Sequence, residues 1–102
     1  IIEKPELKIK TYHLRKPIPE EKYFVFANGH RVKNVKELAD IMDQIEQAVF
    51  DHHVNPDRND FYNWVKEVFD DVELAEKLLG VKNPKHLQLE IFKHVTNKAF
   101  ED

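Results

Sequence analysis

A chain of 102 residues, 41% hydrophobic and 34% charged, is long enough for one small globular core and little more. It contains no cysteine and no serine, which excludes disulfides, thiolate metal centres and hydrolases with a serine or cysteine nucleophile. The net charge of −3 hides a polarity: Glu37 to Glu76 carries twelve acids against Arg58 and Lys66, between basic flanks, and such an acidic middle repels nucleic acid over most of a surface.

No apolar run approaches the ~20 residues of a membrane span, and no signal peptide is visible. The first residue is Ile1, so the chain reads as a domain cut from a longer, cytoplasmic protein. Abundant Lys and Glu, five prolines and two glycines would suit a thermophile.

Residues 1–22 read as a linker or an added strand, with Leu7, Ile9 and Thr11 alternating before Pro17-Ile18-Pro19 enforces an extended stretch. From Tyr23 to Lys33 two β-prone runs flank Asn28-Gly29, a dipeptide suited to a two-residue type I′ turn. That loop pairs Ala27 with His30, Phe26 with Arg31, Val25 with Val32 and Phe24 with Lys33. One face then holds Tyr23, Val25, Ala27 and Val32. The outer face holds Phe24, Phe26, Arg31 and Lys33.

A first helix starts after Asn34, whose spacing to Glu37 is that of a capping box, and buries Val35, Leu38, Met42 and Ile45. Asp43 and Glu46 repeat the pattern, so a second helix restarts there with Val49, Phe50 and His53 inward, ending at Asn55-Pro56. A third is capped by Asn59 or Asp60 and shows Phe61, Trp64, Val65, Val68 and Phe69 on one continuous face. A fourth, capped by Asp70 or Asp71, presents Leu74, Ala75, Leu78 and Leu79 and stops at Gly80 as a C′ residue. The last opens with Asn83 as cap and Pro84 in the first turn, with Leu87, Ile91, Val95 and Ala99 inward.

Six histidines (His13, His30, His52, His53, His86 and His94) invite a metal reading, but no H-x-x-x-H pair is present and no metal or other cofactor is expected. His52, Asp51 and Asp57 offer at most an exposed group of ligands. Asp70-Asp71 suits helix capping better than paired-carboxylate catalysis. Trp64 reads as a core anchor, and His53, Asn59 and Asp60 as a structural polar cluster joined by Arg58. No catalytic residue is assigned. The strip Phe24, Phe26, Arg31 and Lys33 is the candidate partner-binding site, for a protein or for stacked bases. The alternative is that residues 1–22 or the last helix cover both rings.

The order "VKNVKELADIM", "VFDHHV", "NDFYNWVKEVFDD" and "ELAEKLLG" resembles a family of small uncharacterised prokaryotic domains, mostly archaeal, over about residues 23–95. The resemblance rests on His53, Asn59, Asp60, Phe61, Trp64, Val65, Asp71, Leu74 and Ala75. It implies an accessory module, found alone or attached to larger proteins, with no assigned activity. One departure is Asp70, where such domains often carry a glycine that eases the turn.

The expected fold is α+β, mainly α: one N-terminal β-hairpin, within residues 23–102, packed on a compact bundle of four or five helices. Its core should gather Trp64, Phe61, Val65, Val68, Leu38, Met42, Val49, Leu74, Leu78, Leu87 and Ile91. The expected role is non-catalytic docking or regulation, with a protein partner or the rest of a parent chain. A nucleic-acid-binding accessory domain is the alternative, and a metal-dependent enzyme a more distant one. No membrane insertion is expected.

Overall fold

A computed structural model describes residues 18–99, and these form the expected mainly helical α+β domain. In order come a 3₁₀ turn at Glu20–Lys22, strands β1 (Phe24–Val25) and β2 (Arg31–Val32), helix α1 (Val35–Ile41), a 3₁₀ turn at Met42–Gln44, helix α2 (Gln47–His53), strands β3 (Val54–Asn55) and β4 (Arg58–Asn59), and helices α3 (Asp60–Phe69), α4 (Val72–Lys77) and α5 (Pro84–Ala99). The two strand pairs are separate antiparallel hairpins. The expectation of a strand at residues 7–11 lies outside the described residues. Ile18 packs against the core, so the chain joins the fold ahead of the hairpin.

Helix starts follow local chemistry. Asn34, Asn59, Asp71 and Asn83 each accept a backbone N–H three residues on, at 2.8 to 3.0 Å, which satisfies a donor the first helical turn leaves free. Glu37 reaches back past Asn34 to the Lys33 amide, at 3.1 Å, so the capping box closes one residue early. The break between α1 and α2 falls where expected, but α2 begins after Glu46 with no side-chain cap.

β3 and β4 were not foreseen. Asn55 Oδ1 accepts the Asp57 N–H at 2.9 Å, and Val54 pairs with Asn59 and Asn55 with Arg58 around Pro56. Asn and Pro at the first two positions of a turn favour this reversal. The hairpin carries the chain from α2 straight into the Asn59 cap of α3.

The junction of α3 and α4 explains the departure at residue 70. Asp70 sits at φ 55°, ψ 28°, the one non-glycine residue at positive φ among those described. A Cβ in this left-handed region costs energy that glycine avoids. Asp70→Gly is therefore expected to stabilise the domain by about 0.5–1 kcal/mol in urea denaturation; a destabilised variant would show that the Asp70 side chain contributes more than its backbone costs.

At the end of α4 the sequence misleads. Gly80 does not take positive φ, and Leu78 closes the helix in right-handed conformation. Leu79, expected inside, is exposed, while Val81 takes the buried place beyond it. The helix ends three residues before the glycine, so the periodicity that placed Leu79 inward has already lapsed.

Between the hairpin and the helices lies one core. It holds every residue expected in it, with Val49 and Val68 at its partly buried edge. Phe61 is at its centre, stacked on Phe24 at 5.0 Å and Phe50 at 5.3 Å. Trp64 meets Phe24 and Phe69 edge-on, and its Nε1–H donates to Lys22 O at 2.7 Å. No helix among the described residues is long and apolar enough to cross a membrane.

Candidate functional site

The hairpin closes differently from the two-residue turn. Phe24 pairs with Val32 and Val25 with Arg31. Phe26 N–H donates to His30 O at 2.7 Å and Gly29 N–H to Phe26 O at 2.8 Å, leaving a three-residue loop in which only Gly29 has positive φ, at 92°. Asn28 does not enter the left-handed region, as a type I′ turn would require; its Oδ1 accepts the His30 N–H instead.

The slip of one residue exchanges the two faces. Phe24, Phe26 and Val32 point inward, with Phe26 only 2% exposed, and Val25 stands outside at 54%. Burying two phenylalanines outweighs burying Val25 and Ala27, since each large apolar side chain contributes roughly 1.5–3 kcal/mol. The expected exposed strip of Phe24, Phe26, Arg31 and Lys33 is therefore not formed: its rings pack on Phe61, Trp64 and His53. Arg31 and Lys33 remain outside. Arg31 pairs with Glu20 at 2.9 Å and lies over the Tyr23 ring at 5.2 Å, and Lys33 is 3.7 Å from Glu37. Phe24 and Phe26 are therefore not presented at the surface for a partner to stack on.

His53, the last residue of α2, is buried between the hairpin and α3. Its Nδ1 lies 2.9 Å from Asp60 Oδ2, and its Nε2 accepts the Ala27 N–H at 3.0 Å. Arg58 Nε lies 3.1 Å from the other Asp60 oxygen, and its Nη2 donates to His52 O at 2.7 Å. Asn59 faces away from this group: its Nδ2 donates to Leu78 O at 2.8 Å, fastening α3 to the end of α4. His52 neighbours the His53 ring at 5.1 Å without sharing its hydrogen bonds.

A second ionic group, not anticipated, joins α4 to α5. His94 is 1% exposed. Lys77 Nζ lies 3.0 Å from its Nδ1, Asp71 Oδ2 3.8 Å from its Nε2, and Glu73 Oε2 3.9 Å from Nδ1. Lys98 reaches Glu73 Oε1 at 2.7 Å. That hydrogen bond, with the nearby charges of Lys98, His94 and Lys77, holds the Glu73 carboxyl below the usual carboxylate range. The signal for this burial was present: His94 follows Leu87 and Ile91 at helical spacing on the inner face. Gln88 is buried beside them, its Nε2 donating to Ala39 O and Asp43 Oδ1, both at 3.0 Å.

On the opposite side of α5, Leu89 and Phe92 are 53% and 46% exposed, between the exposed Lys85 and Lys93. Elsewhere an open groove of about 260 Å³ lies against β2 and α1, mixing Arg31 with Glu37 and Asp40. Among the described residues, no group of three or more His, Cys, Asp or Glu side chains is arranged to hold a metal ion.

No curated protein and no solved structure gives a significant match to this chain. A family model described as a family of unknown function (DUF5752) matches residues 17–101, a span that takes in the hairpin, both ionic groups and the outer face of α5. The chain belongs to this family of unknown function.

Proposed function

We propose that the domain is a non-catalytic interaction module that docks an acidic, amphipathic segment of a partner protein along the outer ridge of α5. One observation carries the reading: Leu89 and Phe92 stand half exposed, three residues apart, between Lys85 and Lys93. Such a pair on a solvent face is matched by a partner helix offering its own apolar seam. The lysines choose the partner's chemistry. Two copies of α5 crossing antiparallel at Leu89 would set Lys85 of one against Lys93 of the other. Lys85 lies 3.9 Å from Asp43 and Lys93 3.5 Å from Glu90, yet both lysines stay largely exposed, so a segment with carboxylates beside its apolar seam instead meets both ammonium groups favourably. Two half-exposed side chains make a small contact, which favours transient binding over a permanent complex.

The imidazoles support a structural reading over a catalytic one. Both ring nitrogens of His53 are engaged with protein groups, and the His94 ring, carried by α5, is buried against α4. A general base must reach the proton it abstracts, and neither ring offers that access.

The reading is tested with two labelled synthetic peptides of the same leucine heptad pattern, one flanked by glutamates and one by lysines. In fluorescence anisotropy the acidic peptide should bind, more weakly as salt rises, and Phe92→Ala should weaken it by about tenfold or more. Equal binding of both peptides, or none, would overturn the proposal. Self-association of the domain abolished by Phe92→Ala would assign the ridge to a second copy, and cosedimentation with anionic vesicles abolished by the same change would assign it to lipid.

A further inference from the structure

The tip of the β1–β2 hairpin is tied to the helices through a titratable acceptor. Ala27 N–H donates to His53 Nε2, and His53 Nδ1 lies within hydrogen-bond distance of Asp60 Oδ2. An ionised carboxylate only accepts and a backbone amide only donates. The pair of contacts therefore defines one state of the ring: neutral, with its proton on Nδ1 and a bare Nε2.

A second proton can enter only at Nε2. The ring then keeps its bond to Asp60 and presents an N–H to the Ala27 N–H. Protonation thus strengthens one contact, by placing charge beside the carboxylate, and abolishes the other. We propose that His53 is an acid-operated catch, which in its neutral state holds the hairpin tip and on protonation releases it while Asp60 keeps the ring in place.

The surroundings of the ring favour a local release over general unfolding. From α3 it faces Asp60, with Arg58 of β4 on the far carboxylate oxygen; from α2 it faces the His52 ring at 5.1 Å. From the hairpin it meets the Phe24 and Phe26 rings, at 5.0 and 5.6 Å. The carboxylate that faces the newly charged ring belongs to the helical side, and the bond that is lost belongs to the hairpin side. Between Phe26 and His30 the hairpin has its own closing hydrogen bonds, so the tip can move as a unit. The release is confined to the loop at residues 27–29: Phe26 stays packed against Phe24 and Phe61, and the group set free in acid is the Ala27 N–H.

The test is amide hydrogen exchange by NMR on the 15N-labelled domain, across the range in which imidazoles usually change charge, about pH 8 to 5. Side-chain spectra follow the His53 ring in parallel. After correction for intrinsic exchange, protection of Ala27 should fall by about tenfold or more as His53 takes up its proton, while amides within α3 and α5 keep theirs. In His53→Gln, the side-chain oxygen replaces Nε2 as an acceptor that does not titrate, and Ala27 should exchange independently of pH. Ala27 protection that stays flat while the His53 ring titrates would overturn the catch. So would a loss shared by α3 and α5, or a ring that stays neutral until the whole domain unfolds. These wild-type outcomes decide the matter even if His53→Gln fails to fold, and none depends on the α5 ridge.

Discussion

Phe26→Ala should destabilise the domain by about 3–5 kcal/mol, whereas Val25→Ala, one residue away, should change stability by no more than about 0.5 kcal/mol. Phe26 is buried against Phe24, His53 and Phe61, and truncation leaves a cavity that surrounding rings fill only partly. The Val25 side chain points to solvent beside Arg31. The pair of measurements tests the hairpin register directly, because the two-residue turn predicts the opposite order. Denaturant melts in which Val25→Ala is the costlier change would restore that register and return Phe24 and Phe26 to the surface. A domain of this size commonly has about 5–15 kcal/mol of total stability, so Phe26→Ala approaches the limit of foldability.

Trp64→Ala should cost a similar amount, about 3–5 kcal/mol, from two separable sources. The larger is the loss of ring contacts with Phe24 and Phe69. The smaller is the indole hydrogen bond to Lys22 O, which ties the 3₁₀ turn at residues 20–22 to α3. Trp64→Phe keeps much of the first and removes the second. It should cost less, roughly 1–2 kcal/mol, with an added cost for leaving Lys22 O without this donor where water cannot replace it. Thermal melts of the two variants separate these contributions. Near-normal stability of Trp64→Ala would mean that the indole is not a core anchor and would make it a candidate for binding.

The helical skeleton was legible because its information is local. Asn34, Asn59, Asp71 and Asn83 sit at helix starts and cap them by reaching amides three residues away. The stripe from Phe61 to Phe69 is read along one helix, without reference to the rest of the molecule. The proximity of His53 and Asp60 was partly legible too, since only seven positions separate them and a reversal lies between.

Other features depended on what each element packs against. Asn28-Gly29 favours a two-residue loop in isolation, but a one-residue slip buries Phe24 and Phe26 against Phe61 and Trp64, contacts made across about 40 residues of chain. Apolar burial on that scale exceeds a turn preference. The same reason moves the candidate site. The aromatic strip assigned to binding became core, and apolar side chains left without cover were found on α5, where the inner face is filled by Leu87, Gln88, Ile91 and His94. Helical spacing marks which residues share a face; it does not say which neighbour covers that face. The local sequence thus determined the helix starts, the apolar stripes and the class of fold. Tertiary packing decided the hairpin register, the burial of His94 and the exposure of Leu89 and Phe92, because each depends on surfaces brought together from distant parts of the chain.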